Sequence, residues 1–278
     1  MDSELVSIVC LCHNQAPFVM DALESVVNQT HPNIELIIVD DGSTDGSKSV
    51  IQNFIDIHRD VSFIDIPVSI GNCAAFNRGW RASSGNYLID LAADDILLEN
   101  RVEEGVKQLM ETNAGVHFSD AWLMDEGGNV LKRHNERFTL SIPEGDIYAT
   151  LVAGYLICPP TMMFTREVIE YLGGYDETLA YEDFDFWIRS SRQFQYAFTD
   201  EPLVRKRIVK NSHAQAQNKF WNSHQRSTLK VCQKIAELNR TEREKKALKK
   251  RCWHEIRQCI KKGNLVLISD YLSILKQC

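Results

Sequence analysis

No run of about 18 consecutive apolar residues occurs in the chain, so the sequence offers no transmembrane helix. Its first residues, MDSELVSIVC, are acidic where a signal peptide would be basic, and export or membrane insertion by the chain's own signals is not expected. Eight cysteines are present (Cys10, Cys12, Cys73, Cys158, Cys232, Cys252, Cys259, Cys278), yet there is no C-x-x-C pair and no Cys/His cluster at zinc spacing. Several of them sit in apolar runs, as small hydrophobes do, and a reducing cytoplasm fits them. No G-x-G-x-x-G follows the first strand and no G-x-x-x-x-G-K-[ST] occurs, which removes support for dinucleotide oxidoreductases and P-loop nucleotidases. A G-x-S-x-G elbow and an H-E-x-x-H pair are also missing.

What is present is an ordinary globular composition, 44% hydrophobic and 25% charged over 278 residues, which suggests neither disorder nor a fibrous class. That length suits one large α/β domain, or one domain with an appendage, and needs no disulfide or structural metal to bury a core. The net charge of −7 hides an asymmetry: residues 1–212 carry 16 Lys+Arg against 33 Asp+Glu, and residues 213–278 carry 15 against 5. An acidic body ends in a basic tail.

Hydrophobic spacing gives the organisation. Val6 to Cys12 is a short apolar run, followed by a helical stripe within Ala16 to Asn28. Ile34 to Val39 is a second strand, Ser47 to Ile57 a second helix and Val61 to Ile66 a third strand. Cys73 to Ala82 suits a helix, Tyr87 to Leu91 a strand and Arg101 to Met110 another helix. Such alternation predicts a parallel sheet with helices on its faces, whose ligands bind beyond the carboxyl ends of the strands. From Val116 the regularity breaks: a longer strand to Met124, a turn at Glu126–Asn129, and irregular connections at Pro143, Pro159 and Pro160. Residues 1–115 are therefore read as a ligand-binding half and 116–212 as the opposite wall of a cleft. Residues 213–278 are read as a basic helical appendage with two stripes, Leu248, Cys252, Ile256 and Cys259, then Leu265, Ile268, Leu272 and Leu275.

Three polar clusters fall at these strand and helix ends. Asp40-Asp41-Gly42-Ser43-Thr44-Asp45 follows a buried strand, where its carboxylates can accept hydrogen bonds from a base or ribose; the same residues also suit a turn and helix N-cap. Asp94-Asp95 follows another apolar strand. Adjacent carboxylates repel unless a cation or hydrogen-bond network holds them, and hard divalent cations take oxygen ligands together with substrate phosphates; the alternative is an acidic helix start. In Glu182-Asp183-Phe184-Asp185-Phe186-Trp187 carboxylates alternate with aromatics, and a carboxylate beside apolar rings can have its pKa raised to that of a general base; the alternative is again helix capping.

The chain resembles the family-2 glycosyltransferases, which have the GT-A fold. The likeness runs through Val6-Ser7-Ile8-Val9 with His13-Asn14, then Gln29 to Asp45 (QTHPNIELIIVDDGSTD), and Asn77 through Gly79. It continues through Ser84-Gly85-Asn86-Tyr87, Asp94-Asp95, Gly173-Gly174-Tyr175-Asp176-Glu177, and Glu182-Asp183 with Phe186-Trp187-Ile188-Arg189, covering about residues 4–210 in order. The resemblance implies a GT-A type, mostly parallel, Rossmann-like sheet over residues 1–212 with a C-terminal helical extension. It implies an inverting transfer from a nucleoside-diphosphate sugar, read as a UDP-sugar, to a glycan or lipid-linked acceptor in cell-surface polysaccharide synthesis. Asp41 resembles the base-binding aspartate, with Asp40 beside it and Cys12, His13 and Asn14 lining the nucleotide. Asp95 resembles the direct ligand of Mg²⁺ or Mn²⁺, Asp94 the residue reaching ribose or metal, and Asp183 the catalytic base, with Glu182 as the fallback.

Three departures are visible. The family often reads Leu-Asp-x-Asp-Asp, but the first acid is Ala92 here; Leu11-Cys12-His13-Asn14 replaces the commoner Pro-Thr-Tyr-Asn; and Arg207-Ile208-Val209-Lys210 lacks the His often found two residues after the Arg, with His213 close by. They motivate the alternative of a catalytically silent nucleotide-sugar-binding partner subunit. A nucleotidyltransferase is less well supported, since Cys12-His13-Asn14-Gln15 holds no Gly-rich cationic loop. No nucleic-acid partner is expected, a homo-oligomer is allowed, and the protein is placed in the cytoplasm. The tail is read either as a solvated helix face or as a contact with an anionic membrane's inner surface through Arg243 to Arg251.

Overall fold

Strand β1 (Val6–Cys12) is hydrogen-bonded along both edges, to β2 (Ile34–Asp41) and to β4 (Tyr87–Ala92), both parallel to it. A strand with neighbours on both edges and helices on both faces has no side open to water, and Val6, Ile8, Val9 and Cys10 are fully buried. β3 (Ser62–Ile66) extends the parallel half beyond β2. On the other side of β4 the sheet becomes mixed. β8 (Met163–Thr165) runs antiparallel to β4 and to β6 (Val116–Met124), and β9 (Tyr196–Arg207) lies parallel to β6. β7 (Val130–Arg133) pairs with the far end of β6, and the short β5 (Ile96–Leu97) with the end of β9. This is a computed structural model, and it describes residues 4–139, 141–209 and 223–277. Lys210 and His213, singled out above, lie outside the described residues.

Helices cover both faces. α1 (Val19–Val27), α2 (Ser47–Ile57) and α4 (Arg101–Thr112) pack on the face of Ile8, Cys10 and Ile38. α3 (Asn72–Ala82), α5 (Tyr148–Ala153), α6 (Arg166–Leu172) and α7 (Asp183–Ser190) pack on the face of Val9, Ile37 and Val39. The strand's two-residue alternation thus feeds two cores from one segment. Gly79 lets α3 close down on the sheet: a Cβ there would lie 2.4 Å from Val9 Cγ1 and 3.0 Å from Val39 Cγ2. α1 begins three residues later than the periodicity suggests, because the N–H groups of Gln15 and Ala16 are taken by Ser47 and Asp45 side chains and a turn closes at Phe18.

α8 (Ser223–Leu238), α9 (Glu242–Lys261) and α10 (Ile268–Gln277) share the core of the α5–α7 face, with Val231, Cys232, Ile235 and Tyr271 buried in one cluster with Tyr148, Leu151 and Phe184. α9 starts at a reciprocal capping box between Thr241 and Glu244, and Glu244 also accepts from Arg192 at 3.1 and 3.2 Å. The first predicted stripe, Leu248, Cys252, Ile256 and Cys259, is buried. The second is displaced. Leu265 to Leu267 forms a 3-10 turn, which changes the phase, so Leu267, Tyr271 and Ile274 are buried while Leu265 and Leu272 are 64% and 41% exposed. Arg251, the last residue of the run read as a membrane contact, is also a packing residue: it is 2% exposed, donates to the Val152 carbonyl at 3.0 Å, and lies over Tyr155 and Phe184. No helix among the described residues is long and apolar enough to cross a membrane. The seven described cysteines are free and buried.

Candidate functional site

The carboxyl ends of β1 and β2 carry two loops that interlock. Asn14, in the left-handed region at φ 55°, accepts from the Thr44 N–H at 2.8 Å, and its own N–H donates to Ser43 Oγ at 2.9 Å. His13 Nδ1 lies 2.5 Å from the Asp41 carbonyl. Burial pushes the Cys12 thiol up to about 11, so it lends no charge and sits between Ser43 and Ser47 as packing.

Asp40 and Asp41 are buried but differently employed. Asp41 accepts from Ser69 Oγ (2.7 Å), the Ile70 N–H (2.8 Å) and the Gly71 N–H (3.0 Å), which pins the loop before α3 against the end of β2. The close approach requires Gly42, at φ 72°, where a Cβ would meet the Ser69 nitrogen at 2.5 Å. Asp40 Oδ1 accepts from the Ser43 N–H at 2.9 Å, while its Oδ2 is buried with no partner. Lys48 lies 3.8 Å from Asp40 but pairs with Asp65 at 2.6 Å. An orphaned buried carboxylate oxygen is costly in a finished interior and suits a site that a ligand donor completes.

At the end of β4 the chain turns so that Asp95 is 4% exposed and accepts the Arg207 N–H at 2.8 Å. The Arg207 side chain donates to the Asp94 carbonyl (3.0 Å), the Glu126 carbonyl (3.0 Å) and Asp21 (3.0 Å), and stacks on Phe18. One arginine thereby ties the end of β9 to the acidic pair, to α1 and to the β6–β7 turn. Burial first, then the charge of Asp94, raises the Asp95 carboxyl to about 7, against the pull of Lys206 and Arg207. A further cation beside it would favour its ionised form.

The third cluster opens α7. Helical phase separates its carboxylates: Asp185 is 1% exposed and turned to Arg189 and Lys234, each at 2.6 Å, whereas Glu182 accepts from Asn72 at 2.7 Å. Burial, then Glu182, raises Asp183 well above the ordinary carboxylate range, with Lys206 pulling the other way and Asp90 adding to the rise. Asp90 itself lies on β4, accepts from the Tyr175 hydroxyl at 3.0 Å, and is raised by burial and by Glu182. Tyr175 is held by its stack on Phe76 (4.3 Å) and by the amide of Asn77.

Glu182 and Asp183 are coupled through their charges to Asp90, and Lys206 acts on Asp94, Asp95 and Asp183, while Cys12, His13, Asn14, Asp40 and Asp41 lie at the ends of β1 and β2 and in the loops that follow. Sequence assigned no site role to Asp90, Lys206 or Tyr175, although Tyr175 lies in the family-like run Gly173 to Glu177. Asp90 did leave a signal, as the one acid inside the apolar run Tyr87-Leu88-Ile89-Asp90-Leu91.

The family model described as "Glycosyl transferase family 2" matches residues 7–173. An uncharacterised glycosyltransferase of Methanocaldococcus jannaschii is 28% identical over 214 residues, 75% of this chain and 72% of the relative. TuaG of Bacillus subtilis, named as a candidate teichuronic acid biosynthesis glycosyltransferase, is 28% identical over 163 residues, 59% of this chain and 63% of its own length. Among solved structures, S. aureus TarS in complex with UDP-GlcNAc superposes with a TM-score of 0.76 at 14% identity, over 97% of this chain and 79% of that one. The mannosyltransferase PcManGT of Pyrobaculum calidifontis, in complex with GDP-Man and Mn²⁺, gives 0.65 at 15% identity, over 98% and 83%. The architecture, a curled sheet flanked by helices with its cleft at the strands' carboxyl ends, is the GT-A fold. The chain belongs to glycosyl transferase family 2.

Proposed function

We propose that the protein is an inverting, metal-dependent glycosyltransferase that moves a sugar from a nucleoside-diphosphate donor, read as a UDP-sugar, to a hydroxyl of a glycan or lipid-linked acceptor in cell-surface polysaccharide synthesis. What carries this reading is the Asp94-Asp95 pair, fixed by Arg207 at the end of β4, together with Asp183 at the start of α7, both under the charge of Lys206. The UDP-GlcNAc bound to TarS and the GDP-Man and Mn²⁺ bound to PcManGT support a nucleotide-sugar donor, and TuaG supports the polysaccharide role.

Asp40, Asp41, Cys12, His13 and Asn14 border the nucleoside, where the orphaned Asp40 Oδ2 would accept a base or ribose proton. Asp95, assisted by Asp94, would hold Mg²⁺ or Mn²⁺. The fit rests on the buried, elevated Asp95 carboxyl. No cluster of three His, Cys, Asp or Glu closes around one point among the described residues, so diphosphate oxygens and water would complete the shell. When bound, such an ion supplies Lewis-acid neutralisation of the diphosphate.

Asp183 takes the proton of the acceptor hydroxyl. The hydroxyl oxygen bonds to the anomeric carbon, the bond from that carbon to the phosphate oxygen breaks, and its electron pair leaves with the nucleoside diphosphate, inverting the configuration. Burial raises the pKa of Asp183, which makes it a stronger base than an ordinary carboxylate.

Asp183→Asn is expected to lower donor turnover by about 10²–10⁴-fold while UDP binding is retained. Near-full activity in that variant, with Glu182→Gln inactive, would move the base to Glu182. A wild-type protein that binds donor without turnover would instead be the silent partner subunit, which Ala92 motivates.

The tail's exposed cations, Arg243, Lys246, Lys249, Lys250 and Arg257, with Trp253 half exposed beside them, support peripheral contact with an anionic membrane. Co-sedimentation with phosphatidylglycerol vesicles that survives their replacement by Gln would count against that contact.

A further inference from the structure

A cavity of about 170 Å³ lies at the seam between the body and the helical tail. Its walls are Tyr155 from the segment after α5, Tyr181 just before α7, and side chains of α8 and α9. A single water needs only about 10–15 Å³ of such space, so the cavity can take a larger guest. Its floor is buried, with His224 and Gln225 each 8% and Glu255 9% exposed, while Tyr155 at the rim is 40% exposed.

The lining is held in place by its own contacts. Tyr181 and His224 stack with ring centroids 5.6 Å apart and planes 10° from parallel, and the Tyr181 hydroxyl shares a 2.6 Å hydrogen bond with Thr228 Oγ1. Tyr155 meets Phe184 edge-on at 5.3 Å and carries the Arg251 guanidinium over its ring at 4.2 Å. Gln225 Oε1 accepts from Asn264 Nδ2 at 2.8 Å, yet Gln225 Nε2 and Asn264 Oδ1 are buried with no partner among the described residues. Turning both amides over exchanges their roles and again leaves one donor and one acceptor unspent. Such a pair is costly in a finished interior, and a ligand entering the cavity that Gln225 lines can complete it.

Rings beside an amide, a hydroxyl and a carboxylate match the chemistry of a sugar. Its C–H face lies on an aromatic ring, and its hydroxyls both donate to a carboxylate and accept from an amide. An anion suits the floor poorly because Glu255 is there, and an apolar guest would strand the polar groups. Position then supplies the role. Tyr181 is two residues before Asp183, so their Cα atoms are no more than about 7 Å apart, and Phe184, which Tyr155 touches, is the residue after Asp183.

We propose that this cavity binds an uncharged sugar residue of the acceptor, neighbouring the one whose hydroxyl is deprotonated at Asp183. The proposal rests on the reading that the chain glycosylates an acceptor hydroxyl there. The family model ends at residue 173 and most of the lining comes from α8 and α9, so the tail would select the acceptor.

The test is saturation-transfer NMR on the full chain with methyl glucoside, methyl galactoside and methyl N-acetylglucosaminide, with and without UDP, for wild type, Gln225→Ala and His254→Ala. At least one glycoside is expected to bind the wild type and to stay bound when UDP is saturating. Gln225→Ala should weaken it by about tenfold and His254→Ala, at an exposed lining residue, by about threefold, with UDP affinity unchanged. No binding by any of the three, or displacement of the glycoside by UDP, would overturn the proposal without needing a folded variant. An affinity unmoved in both variants would overturn it as well, and so would equal losses for glycoside and UDP, which would make these residues supports of the fold. A wild type that holds a glycoside here but binds neither UDP nor GDP would leave this site standing and overturn the donor assignment instead.

Discussion

Replacing Asp95 by asparagine is expected to stabilise the metal-free protein at alkaline pH while abolishing its response to divalent cation and UDP. Asp95 is 4% exposed, and burial followed by the Asp94 charge lifts its carboxyl from 3.8 to about 7. A folded-state pKa above the unfolded value means that the native protein binds this proton more tightly. The stability the group contributes is therefore fully present below about pH 4, falls as pH rises, and is lost once pH passes about 7. An interval of about 3 pH units corresponds to roughly 4 kcal/mol, and relaxation and water entry bring the realised cost to about 1–3 kcal/mol. Asparagine keeps an oxygen to accept the Arg207 N–H, held at 2.8 Å in the wild type, and carries no charge. In EDTA near pH 8 the variant should melt about 3–8 °C above the wild type, with the gap closing toward pH 5. Addition of Mn²⁺ and UDP should raise the melting temperature of the wild type and leave the variant unmoved. Thermal denaturation followed by circular dichroism across that pH range reads both effects. A variant less stable than the wild type at pH 8, or one that still responds to Mn²⁺ and UDP, would refute the reasoning.

Asp41→Asn replaces an acceptor oxygen by an amide facing the donors at residues 69–71, so it should cost about 1–3 kcal/mol in urea denaturation and weaken uridine binding. Unchanged stability would show that the loop before α3 is not held by this carboxylate. Gly79→Ala drives a methyl into Val9 and Val39 and should cost about 1–3 kcal/mol without altering the UDP-to-uridine affinity ratio. A change in that ratio would show that α3 transmits its packing to the diphosphate end.

Local periodicity was enough for the parallel half of the sheet. β1, β2 and β4 are continuous apolar runs because each is covered on both faces, and their ends are marked by the polar loops that follow. Where a neighbour outside the segment decides the outcome, local reading slipped. α1 lost its first three residues to side chains of the β2–α2 loop, and the last apolar stripe shifted when a 3-10 turn reset the phase. β9, which carries Lys206 and Arg207, alternates poorly and shifts register against β6, so its pattern was obscured.

By itself the sequence determined which chemistry the chain carries: acids at 40–41, 94–95 and 182–183, each just past an apolar strand or at a helix start, in the order of a family-2 glycosyltransferase. Only the tertiary structure decided which acids face one another. Asp185 is two residues from Asp183, yet the helical turn sends it into Lys234 and Arg189, while Asp90, far away in the chain on β4, feels the charge of Glu182. The reason is physical. Residue type and spacing set what a side chain can do, whereas its pKa and partners depend on burial and on charges brought within a few ångströms by other elements.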